Sequence, residues 1–251
     1  SAGLCVIICI IQFIHWIAEK TLTAEGSMSK YDDIAAFWDG VFQRADDTAV
    51  PASSDSGNEE FDQGLRWLCT GAGTVLDFGC GNGTVLFLCA LHGTREHIGI
   101  DLSDKAIQSA RARCKHMKTG AFRFLCGGID ALSRIVDGSV HAVVLSNIID
   151  NLYPSDAETL LAEVNRILTK SGKVFVKLNP YLTESDIEAW HIKVLENNVL
   201  DDGLLLWNNT TEQWENLFKG YFAVFRQYDI YYKEPGQSNR VFLLTKRSQT
   251  D

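Results

Sequence analysis

Three glycines at alternate positions give the chain its clearest chemical signal. They lie in Val75-Leu76-Asp77-Phe78-Gly79-Cys80-Gly81-Asn82-Gly83, directly after an apolar run. Glycine is needed where the backbone takes positive φ, or where a ligand comes too close for a Cβ. The pattern predicts a strand, a ligand-holding turn and a helix. A dinucleotide turn reads GxGxxG. Counted from Gly79, its third glycine falls on Thr84, and the sequence reads GxGxG instead.

Two carboxylates narrow the ligand further. Asp77 stands at the end of the first strand, where it would repel a pyrophosphate and attract an ammonium or sulfonium group. S-adenosylmethionine carries both cations and no phosphate, which disfavours a nicotinamide-dependent oxidoreductase. Ile98-Gly99-Ile100-Asp101 forms the second signal. A carboxylate about 20 residues past a glycine turn, at the end of the second strand, is placed to accept hydrogen bonds from both ribose hydroxyls. Leu102 follows and is placed against an adenine face. The competing role for Asp101 is a helix cap, which Ser103 can supply equally well.

Alternating elements must hold these groups in place. The patterning predicts strands over residues 74–78, 97–101, 121–125, 140–146 and 173–178. It predicts helices over 31–44, 83–92, 104–116 and 157–168, and a polar loop over 45–58. Such alternation implies a mostly parallel, doubly wound α/β sheet with helices on both faces. A helix over 211–218 precedes two β-rich runs, 222–233 and 240–246, separated by a Glu-Pro-Gly-Gln-Ser-Asn turn. These runs predict an antiparallel C-terminal hairpin and bring the sheet to seven strands.

Taken together, the motifs resemble those of the class I S-adenosylmethionine-dependent methyltransferases. VLDFGCGNG is similar to that family's first motif and Gly99-Ile100-Asp101 to its second. Residues 137–152, DGSVHAVVLSNIIDNL, resemble the fourth-strand motif, and 168–179, LTKSGKVFVKLN, the segment entering the fifth strand. The resemblance runs from about Tyr31 to the end. It implies S-adenosyl-L-methionine as cofactor, held by Gly79, Cys80, Gly81, Asn82, Asp101 and Leu102. Ser146 and Asn147, ending the fourth strand, are placed beside the methionine moiety. Tyr31 lies on an N-terminal helix (30–45) that in this family often closes over the cofactor. Trp38, on the same helix, reads as core. Two positions depart from the family pattern. Its Gly-Asp after the third strand is Gly127-Gly128-Ile129-Asp130 here. The adenine amino group would therefore meet Asp130 with a one-residue shift, or a backbone group at Ile129. The family's acidic residue early in the fourth strand is His141, which reads as structural.

Methyl transfer is a direct displacement that depends chiefly on alignment in a dry pocket. No invariant triad is expected, and none is found. Candidates at the acceptor are Asp150, one turn past the fourth strand, together with Tyr181 and His191. Asn179-Pro180-Tyr181 is similar to the Asn-Pro-Pro-Tyr signature of nucleobase amino methyltransferases. It follows the fifth strand instead of the fourth and lacks the second proline, so the match is discounted. Residues 182–210 form an aromatic and acidic insert, the expected source of acceptor specificity.

A net charge of −9 argues against a nucleic-acid partner and favours a small-molecule acceptor. A protein or nucleic-acid methyltransferase, or a non-catalytic S-adenosylmethionine-binding module, is the alternative. Seven cysteines without a CxxC fit buried, reduced thiols and a cytoplasmic setting, and no clustered metal ligands occur. Residues 1–27 read as a leader ahead of one domain over 28–251. The leader's uncharged run, residues 4–18, is shorter than the roughly 20 apolar residues of a membrane span. No membrane contact is expected unless that leader is native, and oligomeric state is not encoded legibly.

Overall fold

The computed structural model describes residues 31–44, 49–201, 203–233 and 236–247. The leader therefore lies outside the described residues, as do both ends of the expected 30–45 helix and part of the hairpin turn. What is described of that helix is α1, Asp32–Arg44.

The first strand, β1 (Thr74–Phe78), is central to the sheet. It runs parallel to β2 (Glu96–Asp101) on one side and to β4 (Val140–Ser146) on the other. Beyond β2 lies β3 (Ala121–Cys126), and beyond β4 lies β5 (Leu168–Leu178), both also parallel. β10 (Gln237–Lys246) pairs antiparallel with β5, and β9 (Phe222–Tyr232) pairs antiparallel with β10. The strand order is β3-β2-β1-β4-β5-β10-β9, which is the expected seven-stranded sheet with its antiparallel hairpin. Direction of winding reverses between β1 and β4. In open α/β sheets the ligand crevice lies at the carboxyl ends of the strands at this point.

Both faces of the sheet are covered, so the central strands are apolar on both sides. On one face Leu76, Val143, Leu145, Val174 and Val176 pack under α5 (Pro154–Ile167) and α7 (Thr211–Lys219), whose Leu160, Val164, Trp214 and Phe218 are buried. On the other, Val75, Val144, Phe175 and Val241 meet α2 (Glu59–Cys69), α3 (Thr84–Leu91) and α4 (Asp104–Arg113). Ser103 is the N-cap of α4, its side chain accepting from the Ala106 N–H, which frees Asp101 from that duty.

Several boundaries differ from the sequence pattern. α5 begins at Pro154 instead of residue 157. Proline fits the first helical position because its missing N–H would be unbonded there. β5 begins at Leu168, five residues early. The helix expected over 104–116 ends as α at Arg113 and tightens into a 3₁₀ turn over Cys114–His116. α2 was not foreseen. Asn58 caps it at 2.9 Å from the Phe61 N–H, and Phe61, Leu65 and Leu68 form its buried stripe. Gly64 interrupts that stripe because the helix rests directly on the sheet. A Cβ there would stand 2.4 Å from the Phe175 ring and the Tyr228 hydroxyl. The insert also has structure: α6 (Glu184–Ala189), then a small antiparallel sheet of β6 (Lys193–Val194), β7 (Val199–Asp201) and β8 (Leu205–Trp207). The cysteines described are free. Cys69, Cys80 and Cys89 are buried as expected, while Cys126 is exposed.

Candidate functional site

The glycine turn is tightly packed, a Cβ at Gly79, Gly81 or Gly83 meeting side-chain carbon at 3.0 Å. Gly79, Gly81 and Gly83 all have positive φ, at 76°, 52° and 83°. The Gly79 and Cys80 N–H groups both donate to the Ile100 carbonyl, at 2.8 and 3.0 Å, and strap the turn to β2. Gly81 donates to Asp101 Oδ2 at 2.8 Å, and the Ser103 N–H donates to Oδ1 at 2.9 Å. Behind the turn, Gly99 leaves room for Phe124 and the Cys80 sulfur, which a Cβ would meet at 2.6 and 2.7 Å. Buried Arg113 braces the turn, donating to the Asn82 carbonyl and to Thr84 Oγ1, at 2.9 and 2.8 Å. The Asn82 side-chain oxygen accepts from the Thr84 hydroxyl at 2.9 Å, so part of that side chain serves the turn itself.

Two carboxylates, Asp77 and Asp101, stand close together at this end of the sheet. Asp77 is fully buried, and its Oδ1 has no hydrogen-bond partner. Burial pushes its carboxyl well above the usual range, and the neighbouring Asp101 adds to the rise. Burial also raises Asp101, while the Ser103 and Gly81 N–H groups pull it back. The Cys80 thiol is pushed up by burial and by the same two carboxylates. The residues present fit a cationic, phosphate-free ligand better than a pyrophosphate, which two carboxylates would repel.

The positions expected to meet an adenine lie on β2, β3 and the turn after β3. Leu102 Cδ2 lies 3.5 Å from where a Gly128 Cβ would stand, and the Gly127 N–H donates to the Asp101 carbonyl at 2.9 Å. Ile129 is half-buried against the core, whereas Asp130 is exposed at the start of a 3₁₀ turn.

α1 reaches across the strand ends. Asp39 accepts from the Ser103 hydroxyl at 2.6 Å and the Lys105 N–H at 3.1 Å. Phe42 faces Gly81, where a Cβ would meet its ring at 3.0 Å. At the helix's other end the Tyr31 hydroxyl donates to Asp156. Burial and that carboxylate push the Tyr31 pKa up. Trp38 packs edge-on against Phe37 and tilted against Phe42. Asp39 and Phe42 were not singled out by sequence, because neither belongs to a recognisable motif.

At the ends of β4 and β5 the polar groups are side chains. Ser146 is half-buried and opposite Lys177 in the parallel register. Asn147 has φ 53° and donates its N–H to the Lys177 carbonyl at 2.7 Å. Its Nδ2 donates to Asn179 Oδ1 at 2.5 Å. The Asn179 N–H and Nδ2 both donate to Asp150 Oδ2, at 2.6 and 3.1 Å. Arg240 holds the Asn179 carbonyl through Nε and Nη2, at 3.1 and 2.9 Å, and the Asn209 carbonyl through Nη1, at 2.7 Å. Asp150 is fully buried, with Oδ1 unpartnered. Burial raises its pKa, while hydrogen bonds from Asn179 and the charge of Arg240 oppose that rise. Tyr181 is 43% exposed and close enough to Arg240 to act on it electrostatically. His191 stands exposed on the turn after α6 at φ 55°, its N–H donating to the Glu188 carbonyl. No hydrogen bond joins it to the strand-end network among the described residues. His141 accepts from the Thr74 N–H at 3.3 Å, at the opposite ends of the strands, as a structural residue would. No group of His, Cys, Asp and Glu among the described residues is arranged to hold a metal ion. No described helix is long and apolar enough to cross a membrane.

Comparison with known proteins agrees with this fold. Residues 75–172 match the family model of a methyltransferase domain. Among curated relatives, the ribosomal protein L11 methyltransferase of Prochlorococcus marinus is 29% identical over 101 residues, 39% of this chain and 32% of its own length. A nonribosomal peptide synthetase of Metarhizium robertsii is 27% identical over 121 residues, 47% of this chain and 2% of its own. The chain thus spans a third or less of either. Among solved structures, the 1,6-didemethyltoxoflavin-N1-methyltransferase of Burkholderia thailandensis, with 1,6-didemethyltoxoflavin and S-adenosylhomocysteine bound, superposes with a TM-score of 0.66. The match is 12% identical and covers 90% of this chain and 93% of that one. The N-methyltransferase NodS of Bradyrhizobium japonicum, also with S-adenosylhomocysteine, gives 0.62 at 13% identity, covering 86% and 99%. Residues 75–172 thus match a methyltransferase domain, and the fold around them is the one shared by these class I methyltransferases.

Proposed function

We propose that the protein built on this methyltransferase domain transfers the methyl group of S-adenosyl-L-methionine to a small-molecule acceptor by direct displacement. The observation that carries the reading is the pair Asp77 and Asp101. Asp77 is buried and Asp101 half-buried, and they stand at adjacent strand ends beside three left-handed glycines, with one Asp77 carboxylate oxygen left unpartnered. Bound S-adenosylmethionine supplies an electrophilic methyl on a positively charged sulfur.

The residues divide the work by position. Asp101 accepts from the ribose hydroxyls, and Leu102 and Ile129 flank the adenine. Asp130, or the backbone at Ile129, meets the adenine amino group. Asp77, Gly79, Cys80, Gly81, Asn82, Ser146 and Asn147 hold the methionine moiety, and Tyr31 closes the crevice from α1. Asp150 and Tyr181 line the acceptor side, with His191 contributing from the insert. Exclusion of water by α1 and by the insert (182–210) strengthens each electrostatic contact within. The small-molecule reading rests on the net charge of −9 and on the neighbour bound to 1,6-didemethyltoxoflavin.

Calorimetric titration with S-adenosylhomocysteine, beside an Asp101→Ala variant and an NAD control, tests the cofactor. Micromolar binding, lost in the variant and absent with NAD, is expected. Failure of the intact protein to bind, with or without residues 1–27, overturns the reading. Transfer of labelled methyl to a component of a cell extract then separates an enzyme from a non-catalytic binding module.

A further inference from the structure

Arg113 is the last residue of α4 and is only 4% exposed. The helix terminus does not need its charge, since Arg111 already stands in the same last turn. Its guanidinium instead holds two separate stretches of chain at once. Nη1 donates to the Asn82 carbonyl in the glycine turn and to Thr84 Oγ1 at the start of α3, at 2.9 and 2.8 Å. Nε and Nη2 both donate to the Ala49 carbonyl, at 2.9 and 2.5 Å. The same group lies 5.3 Å from the centre of the Phe87 ring, which a Gly83 Cβ would meet at 3.0 Å. A rigid planar fork serves both stretches only in one orientation, and a lysine ammonium, a single point of charge, lacks that fork.

The other end of α4 repeats the arrangement. Asp39 of α1 accepts from the Ser103 hydroxyl and the Lys105 N–H, and the Ser103 N–H donates to Asp101. Ala49 lies ten residues past Asp39. The N-terminal part of the chain is thus pinned at both ends of α4, which are about 15 Å apart. At each end the residue that pins it also holds part of the crevice: Ser103 holds Asp101, and Arg113 holds the glycine turn.

We infer that Arg113 is a positioning residue for the cofactor, coupling the shape of the glycine turn to the seating of residues 39–49 across α4. The inference rests on the proposed function, and Arg113 acts through the turn instead of on the ligand. When the segment lifts, two guanidinium donors lose the Ala49 carbonyl. The group then turns to recover them and loosens Asn82 and Thr84. By reciprocity, a ligand that favours the tight turn favours the seated segment by the same factor.

The test uses the full chain. Calorimetry with S-adenosylhomocysteine compares the unsubstituted protein with Arg113→Lys, Asp39→Ala, the double variant and an Arg111→Lys control. Amide hydrogen exchange in α1 and α7 is followed with and without the ligand. Arg113→Lys should weaken binding about tenfold and Asp39→Ala about threefold. The double variant should stay near tenfold, well short of the roughly thirtyfold product, because both changes release one segment. Without ligand, exchange should quicken in α1 and not in α7, which a general loss of stability would not produce. Arg111→Lys should leave both readouts unchanged. If Arg113→Lys fails to fold, Thr84→Val cuts the turn side alone, and the slowing of α1 exchange by S-adenosylhomocysteine should shrink. Full affinity in Arg113→Lys overturns the inference, because charge alone would then suffice. So do losses that multiply in the double variant, unchanged α1 exchange in Arg113→Lys, or undiminished slowing in Thr84→Val. Failure of the unsubstituted protein to bind S-adenosylhomocysteine would instead sink the proposed function, while α1 exchange without ligand still reads the tie through Arg113.

Discussion

The glycine end of the crevice and the asparagine end solve opposite problems. At β1 and β2 the polar groups are backbone N–H groups and two carboxylates, packed so tightly that three glycines and Gly99 are needed to make room. Burial raises both Asp77 and Asp101 there. At β4 and β5 the groups are side-chain amides chained to one carboxylate, and Arg240 faces it from β10. In the proposed reading the first end holds the methyl donor and the second faces the acceptor. The second can be re-specified by exchanging an amide or a loop, without moving the first.

That separation can be broken or sharpened by substitution. The largest effect should follow from Gly81→Val, which puts a β-branched residue at φ 52° and its Cβ 3.0 Å from the Phe42 ring. Cofactor affinity, read by calorimetry, should fall about 100-fold or more, from backbone strain and a crowded turn. Arg240→Leu attacks the other end. It removes donors to Asn179 and Asn209 and should lower unfolding free energy by about 2–4 kcal/mol in urea titrations. If it also weakened S-adenosylhomocysteine binding more than about fivefold, the two ends would not be independent.

Asp77→Asn should weaken cofactor binding about tenfold, by loss of one favourable charge. Its effect on stability runs the other way. A carboxyl with a raised folded-state pKa holds its proton more tightly when folded, so its favourable contribution is full below the unfolded pKa and is lost as pH rises through the folded one. Burial and then Asp101 raise Asp77, so the cofactor-free protein should lose stability as pH climbs above the ordinary carboxylate range. Asp77→Asn should flatten that fall in a thermal-melt series, and bound cofactor, by favouring the ionised form, should reverse it. A flat profile in the unsubstituted protein would contradict the buried charge. The smallest effect belongs to Asp39→Ala, which removes the tie between α1 and the α4 N-cap. It should cost about 1 kcal/mol and speed S-adenosylhomocysteine release a few fold in stopped-flow measurements.

The two ends were unequally legible in the sequence. Glycines 79, 81 and 83 and Asp101 stand in local motifs whose spacing itself encodes strand, turn and strand end. Ser103 was readable as a helix cap for the same reason. Asp150 was visible as a candidate, but Asn179 and Arg240 lie 29 and 90 positions away, and only the strand order brings them together. The tie from Asp39 to Ser103 spans 64 positions and carries no motif. α2 was hidden by Gly64, which breaks its apolar stripe for a packing reason that only the Phe175 ring explains. The strands of the insert are two and three residues long, too short to show a period of two.

β10 lies between β5 and β9 in the sheet, although it follows both in the chain. During synthesis β9 emerges first yet has no edge to join until β10 has been made, so the two must dock as a preformed pair or in reverse order. Residues 74–130 meanwhile contain every strand and turn of the glycine end and need nothing from beyond β4 to begin assembling. A growing chain would thus acquire its cofactor turn well before Arg240 arrives to lock Asn179. Maturation of this protein on the ribosome has a built-in order in which the glycine end comes early and the asparagine end comes last.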